Sequence, residues 1–84
     1  MNITDVRIRK VETDNRMKAI ASITLEGCFV IHDLRVIQRD EHLFVAMPSR
    51  KTSTREFKDI AHPINHETRK EVEDFVIKAY EEAE

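Results

Sequence analysis

Leu43 to Ile64 reads LFVAMPSRKTSTREFKDIAHPI. The apolar run Leu43-Phe44-Val45-Ala46-Met47 has the character of a strand. Pro48 ends it, because proline offers no N–H to a ladder. Ser49 to Arg55 follows as a polar, basic loop, and Phe57 to Ile60 reads as a short return strand. His62-Pro63-Ile64-Asn65 then hands over to a final helix. A cationic loop held between two strands suits the gripping of an anion.

The chain before this stretch reads as strands. In Ile3 to Val11, Val6 and Ile8 alternate with Asp5, Arg7 and Arg9, the pattern of a half-buried strand. Glu12 to Arg16 is a turn whose Asp14 and Asn15 tolerate positive φ. Met17 to Leu25 follows, with Met17, Ala19, Ala21, Ile23 and Leu25 expected on one face. Glu26-Gly27 turns the chain into a third strand, Cys28 to His32, rich in β-branched and aromatic residues. Asp33 to Gln38 is ambiguous: it can continue the strand past a bulge or form a helical turn. Arg39 to His42 is a polar turn. The expectation is an α+β fold, a small antiparallel meander of about five short strands with one C-terminal helix. Parallel pairs would need long crossovers that the spacing does not provide.

The helix is expected over residues 65–82, capped by Asn65, whose side-chain oxygen can accept an orphan N–H. Glu67 suits the positive end of the helix dipole. Val72, Phe75, Val76, Ala79, Tyr80 and Ala83 recur at three- and four-residue spacing and form one apolar stripe, with Ile77 off it.

The order of several segments resembles the stage V sporulation protein G (SpoVG) family. They are Thr4-Asp5-Val6-Arg7-Ile8-Arg9 with Thr13 to Met17, LFVAMPS with Arg50-Lys51, and Glu56 to Asn65. The similarity runs in order to about Tyr80. The chain departs from the family at Ser53-Thr54-Arg55, where an Asp-Gly is usual, and at Asn15, where Gly is usual. The resemblance implies a small bacterial regulator of asymmetric septation and sporulation that binds DNA, and RNA as a further target.

Length and composition set limits on that reading. Eighty-four residues make one domain, 1–84, with a sheet region to residue 64 and the helix beyond. A chain this short buries about 60–65% of its unfolded surface, so a homodimer formed by sheet pairing is expected to extend its core. No apolar run approaches the ~20 residues of a membrane span, so no membrane partner is expected. Met1 to Asp5 lacks a signal-peptide pattern, and the single cysteine, Cys28, has no internal disulfide partner. A cytoplasmic location follows as the expectation.

The net charge of −2 conceals an asymmetry. Residues 67–84 carry seven acids against three bases, whereas 50–58 carry Arg50, Lys51, Arg55 and Lys58 against Glu56 alone. These four cations, with Arg69 and Lys70 at the helix start, are the candidate nucleic-acid contacts. Charge alone also fits ordinary solvated surface. Phe29, Phe44 and Phe57 lie in apolar runs and are expected in the core rather than stacked on bases.

Other chemistries find less support. His62 and His66 are four apart near Asp59, a zinc-like spacing, but Pro63 and the helix cap divide them. His32-Asp33 would point to opposite faces of a strand, which favours a structural pair over a base and its orienter. Cys28 sits beside apolar Phe29 and Val30, as a buried cysteine would. Without a Gly-rich phosphate loop or a GxSxG, the motifs point away from an enzyme, a cofactor or a small-molecule substrate. The competing class is a protein-interaction module in cell-division control that acts without nucleic acid, with the acidic helix as its surface.

Overall fold

The computed structural model describes residues 2–11 and 16–83. The elements run β1 (Ile3–Lys10), β2 (Met17–Leu25), β3 (Phe29–Arg39), β4 (His42–Ala46), β5 (Ser49–Lys51), β6 (Phe57–Asp59) and α1 (His66–Glu82). The first four strands form one antiparallel sheet in chain order, and β5 and β6 pair only with each other. The α+β class, the meander and the C-terminal helix are as the sequence predicts. The strand count is not: six strands are described rather than five. The added one is β5, formed by Ser49 to Lys51, which the sequence suggests as loop. Pro48 does stop β4, but the chain then starts a second ladder, with Ser49 opposite Asp59, Arg50 opposite Lys58 and Lys51 opposite Phe57. The expected turn at Glu12 to Asn15 lies outside the described residues.

Asp33 to Gln38 continues the strand past a bulge. Ala21 and Ile23 of β2 face Leu34 and Ile31 of β3, so β3 carries one residue more across that interval. Asp33 takes φ 68°, a conformation that Asp adopts more readily than most residues. Because strand side chains alternate, one inserted residue exchanges the two faces. Leu34 and Val36 thereby turn into the core, where both are fully buried. A second irregularity falls at Lys18, where Met17 pairs with Ile37 but Ala19 pairs with Val36. Met17 is therefore not on the face of Ala19, Ala21, Ile23 and Leu25, contrary to simple alternation. It joins Ile20 and Arg35 on the opposite, outer face.

The helix packs on the inner face. Asn65 caps it, its Oδ1 accepting the Thr68 N–H at 2.7 Å. Val72 and Val76 are buried, and Ile77 and Tyr80 pack against the same core. Two assignments in the expected stripe change. Phe75 is 45% exposed, while Ile77 is half-buried. At 100° per residue Phe75 sits on one side of the Val72–Val76 line and Ile77 on the other, and the sheet lies on the side of Ile77. The last turn of α1 has no basic residue of its own. Lys10 supplies one from β1, donating from Nζ to the Ala83 carbonyl at 2.9 Å and lying 5.0 Å from the Tyr80 ring centre. A cation there complements the negative end of the helix dipole.

Three turns adopt left-handed backbone, one of them at Asp40 between β3 and β4, with φ 55°. Glu26 and Gly27 take φ 53° and 66°, as a tight hairpin between strands requires. Arg55, in the turn between β5 and β6, takes φ 66° without the benefit of glycine. That conformation costs a side-chain-bearing residue about 1 kcal/mol.

Two outcomes follow. Val76→Asp places a charge at a fully buried position, so it should cost about 3 kcal/mol or more and abolish cooperative melting, while Lys78→Ala at an exposed site should stay within about 0.5 kcal/mol. Circular dichroism melts of both variants check the buried face. Arg55→Gly relieves the left-handed strain but loosens the unfolded chain, for a net gain of about 0.5 kcal/mol or less. A urea midpoint that falls instead would show that the Arg55 side chain stabilises the turn.

Candidate nucleic-acid interface

The β5–β6 hairpin begins at Pro48, which is buried. The Pro48 carbonyl accepts the Ile60 N–H at 2.7 Å, closing the base of the hairpin. Arg35, on β3, braces the same joint: its Nη2 lies 3.4 Å from the Met47 carbonyl and 3.3 Å from Ser49 Oγ. The tip is closed by backbone bonds from Thr52 N to Glu56 O at 2.7 Å and from Arg55 N to Thr52 O at 3.0 Å. The Thr52 and Thr54 hydroxyls share a 2.9 Å bond across it.

This frame holds Arg50, Lys51, Arg55 and Lys58 in the open; all four are exposed. Arg50 and Lys58 are direct cross-strand neighbours. Like charges so placed repel each other, and an anion between them would relieve that repulsion. Together with Thr52, Asp59 and Ile60 they line an open hollow of about 410 Å³. Lys51 falls on the other face of β5, opposite Phe57. The ion pairs found among the described residues are Arg7–Asp5 and Lys70–Asp74, so the hairpin cations have no carboxylate partner there.

Arg69 and Lys70 do not belong to the hairpin. They sit in the first turns of α1, where Arg69 is half-buried and Lys70 Nζ lies 3.4 Å from Asp74 Oδ2. The four-residue spacing of that pair was visible in the sequence, and it gives Lys70 an acidic neighbour that the hairpin cations lack.

Several residues lie elsewhere than their neighbours in sequence suggest. Phe57 is 71% exposed and Phe29 62% exposed, so neither fills the core. Phe44 is half-buried on the outer face, with the Arg39 guanidinium 5.8 Å from its ring centre. Cys28 is exposed rather than buried, because it falls in the β2–β3 turn before the strand begins. His62 is exposed and its Nδ1 lies 2.9 Å from the Pro63 carbonyl, while His66 opens the helix. Arg35 is the contributor that composition does not reveal. Its role depends on the Asp33 bulge, which sets its face.

A family model described as SpoVG matches residues 1–82. A protein of Staphylococcus saprophyticus, named "Putative septation protein SpoVG", is 61% identical over the whole chain and is itself covered over 83% of its length. Proteins of the same name from Macrococcus caseolyticus and Staphylococcus aureus strain JH9 are 63% and 60% identical over the whole chain. The chain covers 73% and 84% of their lengths. With a family model spanning nearly every residue and full-length relatives at this identity, the chain belongs to the SpoVG family.

Proposed function

We propose that this protein is a non-catalytic, nucleic-acid-binding regulator of septation and sporulation, acting in the cytoplasm. The observation that carries the binding is the cross-strand pair Arg50 and Lys58, two exposed cations without a carboxylate partner among the described residues. Septation comes from the names of the relatives. Sporulation comes from the resemblance. No helix among the described residues is long and apolar enough to cross a membrane, which fits a cytoplasmic place of action.

The chemistry is electrostatic. Arg50 forks onto phosphate oxygens, and Lys58 and Lys51 act as point charges beside it. Arg55 extends the positive field at the hairpin tip. Arg69 and Lys70 contribute less, since Lys70 has its acid in place. Replacing Arg50 and Lys58 together by Ala should remove two phosphate contacts and lower the salt slope of duplex binding by about two units. Because the two cations repel each other, the same variant should melt at an unchanged or slightly higher temperature. Anisotropy titrations at several salt concentrations, beside a thermal melt, test both halves. An unchanged slope would leave the protein-interaction reading in first place.

We infer a homodimer as the working form, joined through the free edge of β4. The β1 edge carries Asp5, Arg7, Arg9 and Lys10, charges of the kind that discourage edge pairing. The β4 strand, HLFVA, carries no acid, Lys or Arg and has its second edge unpaired in the sheet. Phe44→Lys at this edge should shift light-scattering mass toward monomer at micromolar concentration. Removing a charge from the β1 edge, Arg7→Ala, should leave the dimer mass in place.

A further inference from the structure

We propose that the cleft between the hairpin and the outer face of the sheet binds an unpaired base of a single-stranded nucleic acid, stacked on Phe57. This rests on the nucleic-acid reading above and names the form of polymer it prefers.

Three observations meet at this cleft. The first is its shape. Phe57 and Ser49 of the hairpin and Met17, Ile20 and Arg35 of the sheet bound an open space of about 340 Å³, with Asp33 also present. The second is the state of the aromatic ring. Phe57 is 71% exposed on a strand of only three residues, in a ladder opposite Lys51. A ring fixed by its backbone and left bare is a stacking surface, and stacking accepts any base because every base has a π-face.

The third is charge. Arg35 is half-buried, and among the described residues no carboxylate pairs with it. Its guanidinium also reaches a neighbouring hollow of about 740 Å³, shared with Arg16 and Lys18 and with one acid, Asp40. Arg35 lines the cleft on the sheet side together with one acid, Asp33, while Arg16 and Lys18 stand in the adjoining hollow and Lys51 stands opposite Phe57 on the hairpin. A strand laid through it can place phosphates at both sides and a base between them. The apolar floor of Met17 and Ile20 favours a base over a free phosphate. A paired base in a duplex cannot enter, because its faces are already stacked. This separates the cleft from the Arg50–Lys58 pair, which needs only phosphate.

The test uses the full chain and two labelled probes, a twelve-nucleotide oligo(dT) and a mixed-sequence duplex. Phe57→Ala should weaken oligo(dT) binding by roughly 5- to 150-fold, the effect of losing one stacked base, and change duplex binding less than twofold. Lys18→Ala should weaken oligo(dT) binding and flatten its salt dependence by about 0.7 unit. The chain has no tryptophan, so Phe57→Trp provides a single reporter whose emission should be quenched by oligo(dT) with affinity retained. Retained oligo(dT) binding by Phe57→Ala with no quenching of the Trp variant overturns the cleft while leaving the hairpin reading in place. Absence of binding by the parent to either probe overturns both. If Phe57→Ala converts a dimer to a monomer and weakens both probes equally, Phe57 is a subunit contact and the proposal fails.

Discussion

One helix covers one face of a four-stranded sheet, and the rest of the molecule answers to that imbalance. Val72 and Val76 press on the face formed by Ala19, Ala21, Leu34 and Val36, and these six are buried. Among the described residues no helix covers the opposite face, and only the β5–β6 hairpin borders it, at Ser49 and Phe57. That face must be solvated or covered by something else, and its composition reflects this. Arg7, Arg9 and Arg35 alternate there with Ile20 and Ile37, a mixture that neither a dry core nor a purely solvated surface would use.

Two irregularities between β2 and β3 make that division of faces work. Without the bulge at Asp33, the residues after it would exchange sides. Arg35 would enter the core, and Leu34 and Val36 would leave it. Without the shift at Lys18, Met17 would sit on the inner face beyond Ala19. Each bulge lets a sequence whose alternation breaks still bury its apolar members. The price is a left-handed residue at Asp33 in the middle of the longest strand.

The sequence shows most of the fold and part of the site. Val6 and Ile8 alternate cleanly, Asn65 announces its cap, and Val72 and Val76 mark the buried line of the helix. Arg50, Lys51, Arg55 and Lys58 are legible as a cationic cluster because they are neighbours along the chain. What alternation cannot reveal is phase after a bulge, so Asp33 to Gln38 reads both ways and Met17 is placed on the wrong face. The exposure of Phe57 and Phe29 is equally hidden. An apolar residue in a strand is expected inside only when a second layer covers it, and no sequence pattern says which strands lack one. Ser49 to Lys51 looks like loop because three polar residues carry no periodic signal. Their pairing is set by the return of Phe57 to Asp59.

The attachment of the hairpin has a consequence for how such a protein changes over generations. Its cations and its aromatic ring hang from one buried proline and one bracing arginine, apart from the residues that keep the domain folded. Substitutions at Arg50, Lys51, Arg55, Phe57 or Lys58 therefore carry little penalty in folding. The charge and shape of the hairpin can change in descendants while the same scaffold is inherited. Arg35 is the exception, since it both braces the joint and borders the cleft. Selection should hold that position more firmly than any residue at the hairpin tip.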